Sequence, residues 1–453
     1  MLAGSPLVYA GAFAFRCNWD LIKIMHGALG LMKERRFLPL FTTQFLGAFN
    51  DNLFKQMMVL FVTYHVLHDQ RQEQGFSSIA TGISLIPFFL LSALAGQLAD
   101  TNDKTKIIRI VKTAEIAIML VGGLGLVLAR ADHTYIGIGI MLFAVLCLGI
   151  HSTFFGPIKY AILPQHLHAD EVLGGTGLVE ASTYLAILLG TIAAGWLSID
   201  QALILTFAIA IIGRLIAGRV PPAPRQGAEL QINYNPITSS WRLVSATMHI
   251  PRLFLAILAI SFFWMIGTVL IVLFPPLIKN ALSADPRVYS TLTALFSIGI
   301  AIGSVAINAL LNGKTSAKYA PASVIVMGGL IVVFSLLVRT WPMLPHGHLY
   351  GMLEFFSLPR AIPLVLVLMG IAITGGIFVV PLYAFLTTTV TRDQTARTVA
   401  ANNVVNSGAM VLGALGVAAV SALGLSPENV LFLVAGMCVA SAWLAQKLHL
   451  ACD

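Results

Sequence analysis

The sequence is poor in charged residues and in cysteine. Charged residues make up 10% of its 453 residues, whereas a soluble protein has roughly 25%. Together with 58% hydrophobic residues, this deficit excludes soluble, disordered and fibrous proteins. The basic residues are scattered, which excludes nucleic acid as a partner. The four cysteines have no metal or redox spacing, so we expect no metal site and no cofactor.

The N-terminus also lacks a feature of exported proteins. No small-residue cleavage site follows a basic start in the first 36 residues, which excludes a typical signal peptide. This segment has a short apolar patch and scattered charges. We therefore expect residues 1–32 to form a poorly ordered or interfacial tail.

Twelve apolar runs are long enough to cross a bilayer, since a spanning helix needs about 20 mostly apolar residues. They lie at 37–66, 76–99, 107–130, 134–157, 174–198, 201–219, 252–279, 288–312, 320–339, 361–387, 400–424 and 428–447. The sequence therefore predicts an all-α, multi-pass membrane protein with twelve transmembrane helices.

Most of the 27 Lys and Arg residues lie before the first run, after the last one, or in alternate connections between runs. Basic residues favour the cytoplasmic side of a membrane. Because the connections after runs 2, 4, 6, 8 and 10 are the basic ones, both termini are predicted to be cytoplasmic.

The chain divides into two related halves. Residues 174–198 and 400–424 align without gaps, which places Gly190 opposite Gly416. Parallel six-helix repeats of this kind build one transporter architecture, with the substrate site between the halves. A polar, Pro-rich stretch separates them. We expect an N-terminal half at 33–219, a cytoplasmic linker at 220–250 and a C-terminal half at 251–453.

The connection after the second run reads "GQLADTNDKTK" (96–106). It resembles the cytoplasmic loop motif of the major facilitator superfamily, with Asp103 in place of the second glycine. In that interpretation Gly96 allows close helix approach and Asp100 interacts with the start of a neighbouring helix. Lys104 and Lys106 keep the loop inside, and these four residues form a gate. The alternative is an ordinary charged turn.

Four stretches resemble one branch of this superfamily, the lysophospholipid transporters: "QFLGAFNDN" (44–52), "FFGPIKYAILPQHL" (154–167), "GLVEASTYLAILLG" (177–190) and "GGIFVVPLYAFL" (375–386). The resemblance implies a flippase of the bacterial inner membrane. It would move lysophospholipids, chiefly lysophosphatidylethanolamine, from the outer to the inner leaflet. An acyltransferase/acyl-carrier-protein synthetase partner would then re-acylate them.

The same stretches resemble the transporter module that is fused to such acyltransferases. The chain contains no acyltransferase box, so we do not expect an enzyme. One position departs from the family: Ile271 stands where some members carry an arginine. The residues that bind the head group in the family therefore do not all have a counterpart in this sequence.

Polar residues interrupt the first apolar run at Asn50, Asp51, Asn52 and Lys55. Gln44, Asp51 and Lys55 recur at spacings of seven and four, which puts them on one helix face. An ionisable group in hydrocarbon costs on the order of 3 kcal/mol, so a role in binding the lipid head group is expected. A structural Asp51–Lys55 ion pair is the alternative, and coupling to a cation, Na⁺ or H⁺, is a third interpretation.

Other polar residues within the apolar runs are further candidates for substrate binding: Lys159, Glu180, Asn402, Asn403 and Asn406. Lys159 is a candidate partner of Glu180, and such a pair would be structural or part of the site. The three asparagines either face the cavity or hold helices together. For His151, a hydrogen-bonded core histidine is favoured over a proton relay.

Two other functions are compatible with this pattern. One is an ion-coupled exporter of another amphipathic solute or drug. The other is a membrane protein that presents lipid to an acyltransferase without transporting it. An assay of lipid movement across vesicles separates these possibilities.

Overall fold

The computed structural model describes residues 30–168, 171–225, 232–311, 316–342, 348–388 and 392–452, which are almost entirely helical. The long helices are α1 (Leu38–Phe61), α2 (Gln70–Thr101), α3 (Lys104–Arg130), α4 (Thr134–Ala161), α5 (Val172–Trp196), α6 (Ile199–Ala217), α7 (Pro236–Met248), α8 (Pro251–Asn280), α9 (Pro286–Leu310), α10 (Ala320–Arg339), α11 (Ala361–Thr388), α12 (Arg392–Ala422) and α13 (Pro427–Cys452). Short helical turns lie at Leu31–Lys33, Val62–Val66, Leu163–His166 and Met352–Ser357.

Among the described residues, 11 helices are long and apolar enough to cross a membrane. They are α2 to α6 and α8 to α13. The remaining helix of the predicted twelve is α1, a 24-residue helix whose apolar run is interrupted by the polar residues from Asn50 to Lys55. The twelve-helix prediction therefore agrees with the fold.

Several helices begin at capping residues that the sequence places between apolar runs. The Asp69 carboxylate accepts hydrogen bonds from the first backbone N–H groups of α2, and Asp103 does the same for α3. Ser198 and Gln201 form a capping box at the start of α6. These caps satisfy N–H groups that have no partner within the helix.

The two halves repeat one packing pattern. In the first half α1 packs against α5 and α6, α4 packs against α2 and α3, and α3 packs against α6. In the second half α8 packs against α12 and α13, α11 packs against α9 and α10, and α10 packs against α13. Each contact has its counterpart when α1 to α6 are matched in order with α8 to α13. The halves are therefore pseudo-symmetric.

The halves meet along two seams, α2 against α12 and α5 against α9. The pseudo-symmetry exchanges these seams, because α2 matches α9 and α5 matches α12. Gly195 permits the close α5–α9 approach: a Cβ there would lie 2.4 Å from the carbonyl oxygen of Pro286. At the α2–α12 seam, Gly408 packs against the ring of Phe89.

The connection between the halves contains a helix that the sequence analysis missed, α7. Its buried side is polar, with Ser239 and Thr247, while Ile237 and Trp241 are exposed. The Gln97 amide of α2 donates to Ser239 Oγ at 3.2 Å, and α7 also packs against α12. The predicted linker thus touches both halves.

The predicted N-terminal tail lies mostly outside the described residues. Its last part forms the turn Leu31–Lys33, in which Leu31 is buried against Phe37 and Leu167. Leu31, near the end of the predicted tail, is therefore packed onto the first half.

Candidate functional site

A cavity of about 320 Å³ lies within the first half, between α1, α2, α4 and α5. Its lining is Gln44, Gly47, Ala48, Asp51, Asn52, Lys55, Ser84, Leu85, Phe88, Val145, Leu148, Gly149, His151, Ser152, Phe155, Gly156, Lys159, Thr183 and Ile187. Most of this surface is apolar, with a few charged and polar groups. That composition is typical of small-molecule sites.

The polar face of α1 lines this cavity as its spacing predicts. Gln44, Asp51 and Lys55 all contribute to the lining, and so does Asn52. Gln44 also fixes α1 to α5, because its amide donates to Ser182 Oγ and its Oε1 accepts from Thr183 Oγ1 at 2.9 Å. A helix face thus becomes one wall of the cavity.

Asp51 finds its partners on α4. Its Oδ2 accepts a hydrogen bond from Ser152 Oγ and lies 3.9 Å from His151 Nδ1. Within the described part of the chain, Asp51 and Lys55 are not in direct ion-pair contact, although the Asp51 carboxylate interacts electrostatically with the Lys55 ammonium. The reason is that α4 supplies a hydroxyl and an imidazole at the Asp51 carboxylate. Lys55 remains directed to the cavity.

A buried charge cluster adjoins the cavity and consists of Asp51, Lys112, Glu115 and His151. Lys112 Nζ lies 2.6 Å from Glu115 Oε2, and both side chains are 1% exposed. Asn50, which does not line the cavity, donates to Glu115 Oε1 at 2.8 Å. His151 Nε2 lies 3.5 Å from Glu115 Oε2, so its ring stands between two carboxylates.

Gly47 makes room for the ammonium of this cluster. A Cβ at this position would lie 2.4 Å from Lys112 Nζ, and the ammonium also lies 5.4 Å from the centre of the Phe155 ring. A side chain at position 47 would therefore displace the Lys112 ammonium, so the space above this glycine is used by a residue from another helix.

Lys159, the candidate partner of Glu180, interacts with it electrostatically but is not its direct contact. Tyr160 Oη donates to Glu180 Oε1, whereas Lys159 Nζ donates to Thr183 Oγ1 at 3.1 Å. Consecutive residues of a helix point about 100° apart. The tyrosine therefore meets Glu180, and the lysine faces the cavity.

A partly exposed ion pair outside the membrane-spanning helices joins the chain before α1 to the start of α5. Arg36 Nη2 lies 2.8 Å from Glu171 Oε1. The backbone N–H of His168 and the Arg36 guanidinium hold the pKa of Glu171 below its usual range. Because water still reaches the pair, its contribution to stability is small.

One end of the bundle is closed by contacts between the halves, at the α1–α2 connection. Lys279 of α8 forms an ion pair with the buried Glu73 of α2 and donates to the Leu67 carbonyl at 3.0 Å. Tyr64 Oη donates to the Ala284 carbonyl at 2.9 Å, and Ser77 Oγ donates to the Val272 carbonyl at 2.9 Å. These contacts join the two halves at this end of the bundle.

The family model described as Major Facilitator Superfamily matches residues 40–414. The chain belongs to the Major Facilitator Superfamily. Among solved structures of similar fold, a bacterial homologue of the human lysosomal transporter Spinster has a TM-score of 0.64 at 12% identity, covering 92% of this chain and 98% of that one. The POT family transporter PepTSo has a TM-score of 0.67 at 10% identity, with 92% and 99% covered.

Curated relatives in the superfamily carry a more specific name. The "Lysophospholipid transporter LplT" of Cronobacter sakazakii is 26% identical over 385 residues, which cover 83% of this chain and 85% of the relative. That of Yersinia pestis is 28% identical over 366 residues, 78% of each chain. The similarity thus extends over most of both sequences.

The superfamily loop motif lies at the end of α2, opposite the closed end. Asp100 is exposed, and Gly96 has open space where a Cβ would be. Lys104 is buried and its backbone N–H donates to the Ala223 carbonyl at 3.1 Å, while Lys106 is exposed. Asp103, which stands in place of the second glycine of the motif, accepts hydrogen bonds from the first backbone N–H groups of α3. The gating role of the four residues stays a prediction.

The three asparagines of α12 lie in the second half, away from the cavity lining. Asn402 and Asn406 are buried, and Asn403 is exposed. Asn406 accepts from Ser261 Oγ at 2.6 Å and donates to Tyr383 Oη at 3.2 Å, which joins α8, α11 and α12. Asn406 thus holds helices together, one of the two roles expected for it.

Helix α4 supplies functional residues that the spacing along α1 does not predict. Ser152 and His151 contact Asp51, and neither was proposed as a substrate-binding residue. Their signal was weak, because a single histidine within an apolar helix is usually a core residue. The signal that the sequence offers is that α1 and α3 each carry an acidic residue, Asp51 and Glu115, within an apolar run, where a carboxylate needs a polar partner.

Proposed function

We propose that this protein transports lysophospholipids, chiefly lysophosphatidylethanolamine, from the outer to the inner leaflet of the bacterial inner membrane for re-acylation. The observation that carries the proposal is the placement of both charge signs in one mostly apolar cavity. Asp51 offers a carboxylate, and Lys55 and Lys159 offer cations. The name of the curated relatives supports the same substrate class.

Each charge of the zwitterionic head group has a side chain of opposite charge in the cavity. Its ammonium pairs with Asp51, whose side chain is 20% exposed to the cavity. Its phosphate pairs with Lys55 or Lys159, since neither lysine forms an ion pair with a described acidic residue. The single acyl chain lies against apolar lining such as Leu85 and Phe88. Charge-assisted pairing of this kind is strongest where water is excluded.

Because basic residues favour the cytoplasmic side of a membrane, the proposed orientation has both termini and the α2–α3 connection in the cytoplasm. The end sealed by Lys279 and Glu73 is then periplasmic, and the cavity is reached from the inner side. Transport requires the halves to rock so that the two ends open in turn. No bond of the lipid is made or broken, so the protein acts as a transporter and not as an enzyme. A separate acyltransferase is the partner that consumes the lipid. Coupling to a cation, Na⁺ or H⁺, at Asp51 is the alternative to pairing of this carboxylate with the lipid ammonium.

The decisive experiment measures lysophosphatidylethanolamine flipping in vesicles that contain the purified protein. Asp51→Asn should severely reduce flipping of this lipid and should reduce flipping of lysophosphatidylglycerol, which lacks an ammonium, much less. Asp132→Asn removes a carboxylate at an exposed turn and is the matched control.

The alternatives predict other results. No flipping by the folded wild-type protein would favour a lipid-presenting partner of an acyltransferase. Movement of unrelated amphipathic solutes without preference for lysophospholipids would favour an exporter. An equal loss for both lipids in Asp51→Asn, together with loss of ion dependence, would assign Asp51 to the coupling cation instead of the ammonium.

A further inference from the structure

His151 occupies an unusual position for a core histidine. Its Nδ1 lies 3.9 Å from Asp51 Oδ2 and its Nε2 lies 3.5 Å from Glu115 Oε2. The residue is 5% exposed, and neither ring nitrogen makes a hydrogen bond of good geometry to any described residue. A neutral imidazole has one N–H, whereas the imidazolium has two. The protonated ring alone can therefore donate toward both carboxylates.

The charges around the ring leave Asp51 without a lysine or arginine in contact among the described residues. From α3, Glu115 is matched by Lys112 at 2.6 Å. From α1, Lys55 lines the cavity and interacts electrostatically with Asp51 but does not contact it, and from α4 Lys159 lines the cavity further along. From α2 and α5 the cavity receives the uncharged Ser84 and Thr183. A carboxylate with no cation in contact is costly at this depth, and a proton on His151 supplies the nearest one.

We propose that His151 binds a proton which the cationic head group of the substrate displaces. This inference rests on the proposed function, because it takes the lipid ammonium as the second cation at Asp51. When the ammonium pairs with Asp51, the imidazolium loses its counterion on that side. Its Nδ1–H bond breaks, the proton passes to water in the cavity, and the neutral ring keeps one N–H for Glu115. One ammonium enters and one proton leaves, so the cluster's charge is conserved.

Competition between the proton on His151 and the lipid ammonium makes the affinity for the lipid depend on pH. If one proton leaves for each lipid bound, the affinity for lysophosphatidylethanolamine rises up to tenfold per pH unit while His151 is protonated in the free protein. Lysophosphatidylglycerol has no ammonium to place at Asp51 and should bind without releasing a proton. We therefore expect the affinity for lysophosphatidylethanolamine to depend on the protonation of His151 and the affinity for lysophosphatidylglycerol not to depend on it.

The test is titration calorimetry of the purified protein with each lipid, in buffers of different ionisation enthalpy. This comparison counts the protons released. We expect release of up to one proton with lysophosphatidylethanolamine and none with lysophosphatidylglycerol. His151→Gln should bind lysophosphatidylethanolamine without proton release and without pH dependence. His68→Gln changes an exposed histidine and should behave as the wild type.

The outcomes separate this inference from the proposed function. Binding of lysophosphatidylethanolamine to the wild type with no proton release across the pH range would overturn the proton site alone. The same number of protons released by His151→Gln would also overturn it. Absence of any lysophospholipid binding would overturn both proposals. The wild-type measurement needs no variant, so a His151→Gln protein that failed to fold would still leave the site testable.

Discussion

Removal of the Lys112 ammonium should strongly destabilise the folded protein. Lys112 Nζ lies 2.6 Å from Glu115 Oε2, and both side chains are 1% exposed. Lys112→Met keeps a long, flexible apolar side chain but leaves a buried carboxylate without its nearest cation. Breaking a buried pair costs about 3–5 kcal/mol, whereas an exposed pair contributes about 0–1 kcal/mol. We therefore expect the free energy of unfolding to fall by about 3–5 kcal/mol.

One hydrogen bond to Glu115 remains in this variant. Asn50 Nδ2 still donates to Glu115 Oε1 at 2.8 Å. A neutral amide does not replace the lost cation, so most of the destabilisation should persist.

Reversible unfolding in mixed micelles with dodecyl sulfate, followed by circular dichroism, measures this free energy. Lys106→Met on the same helix is the matched control, since Lys106 is exposed, and should change it by less than about 0.5 kcal/mol. The double variant Lys112→Met/Glu115→Gln removes both charges and should recover most of the loss. A Lys112→Met loss no larger than that of Lys106→Met would refute the reasoning.

Three further substitutions test other contacts. Gly47→Ala should lower the free energy of unfolding by about 1–3 kcal/mol because it crowds the buried ammonium; Gly156→Ala, whose Cβ meets nothing within 4 Å, should not lower it. Lys279→Met should speed thiol labelling of a cysteine placed at the buried Ser77, since it removes an ion pair between the halves, and an unchanged labelling rate would contradict the closed end. Asp100→Asn should slow lipid flipping in vesicles at normal expression, and flipping at the wild-type rate would exclude a gate.

Hydropathy predicts the helices well because the bilayer imposes their length and apolarity. The differences lie at helix ends, where hydropathy carries no information. α2 begins at Gln70 instead of 76, and α12 begins at Arg392 instead of 400. In both cases polar residues continue the backbone hydrogen bonds beyond the apolar run. The helix α7 was missed for the same reason, since its buried side is polar.

The candidate site was predictable on one helix and not between helices. Spacing along α1 is enough to place Gln44, Asp51 and Lys55 on one face, and that face lines the cavity. The partners of Asp51 come from α4, about a hundred residues further along the chain. No local pattern determines which side chains of two separate helices meet. For the same reason Tyr160, and not Lys159, contacts Glu180.

The exchange of the two seams by the pseudo-symmetry has a consequence for how the molecule meets its lipid surroundings. Rigid-body rocking of one half against the other acts alike on α2–α12 and on α5–α9. Any gap that opens toward the bilayer in one seam is therefore accompanied by a second gap on the opposite side of the molecule. A chemical cross-link across either seam should then keep both seams closed, because opening of one seam is coupled to opening of the other.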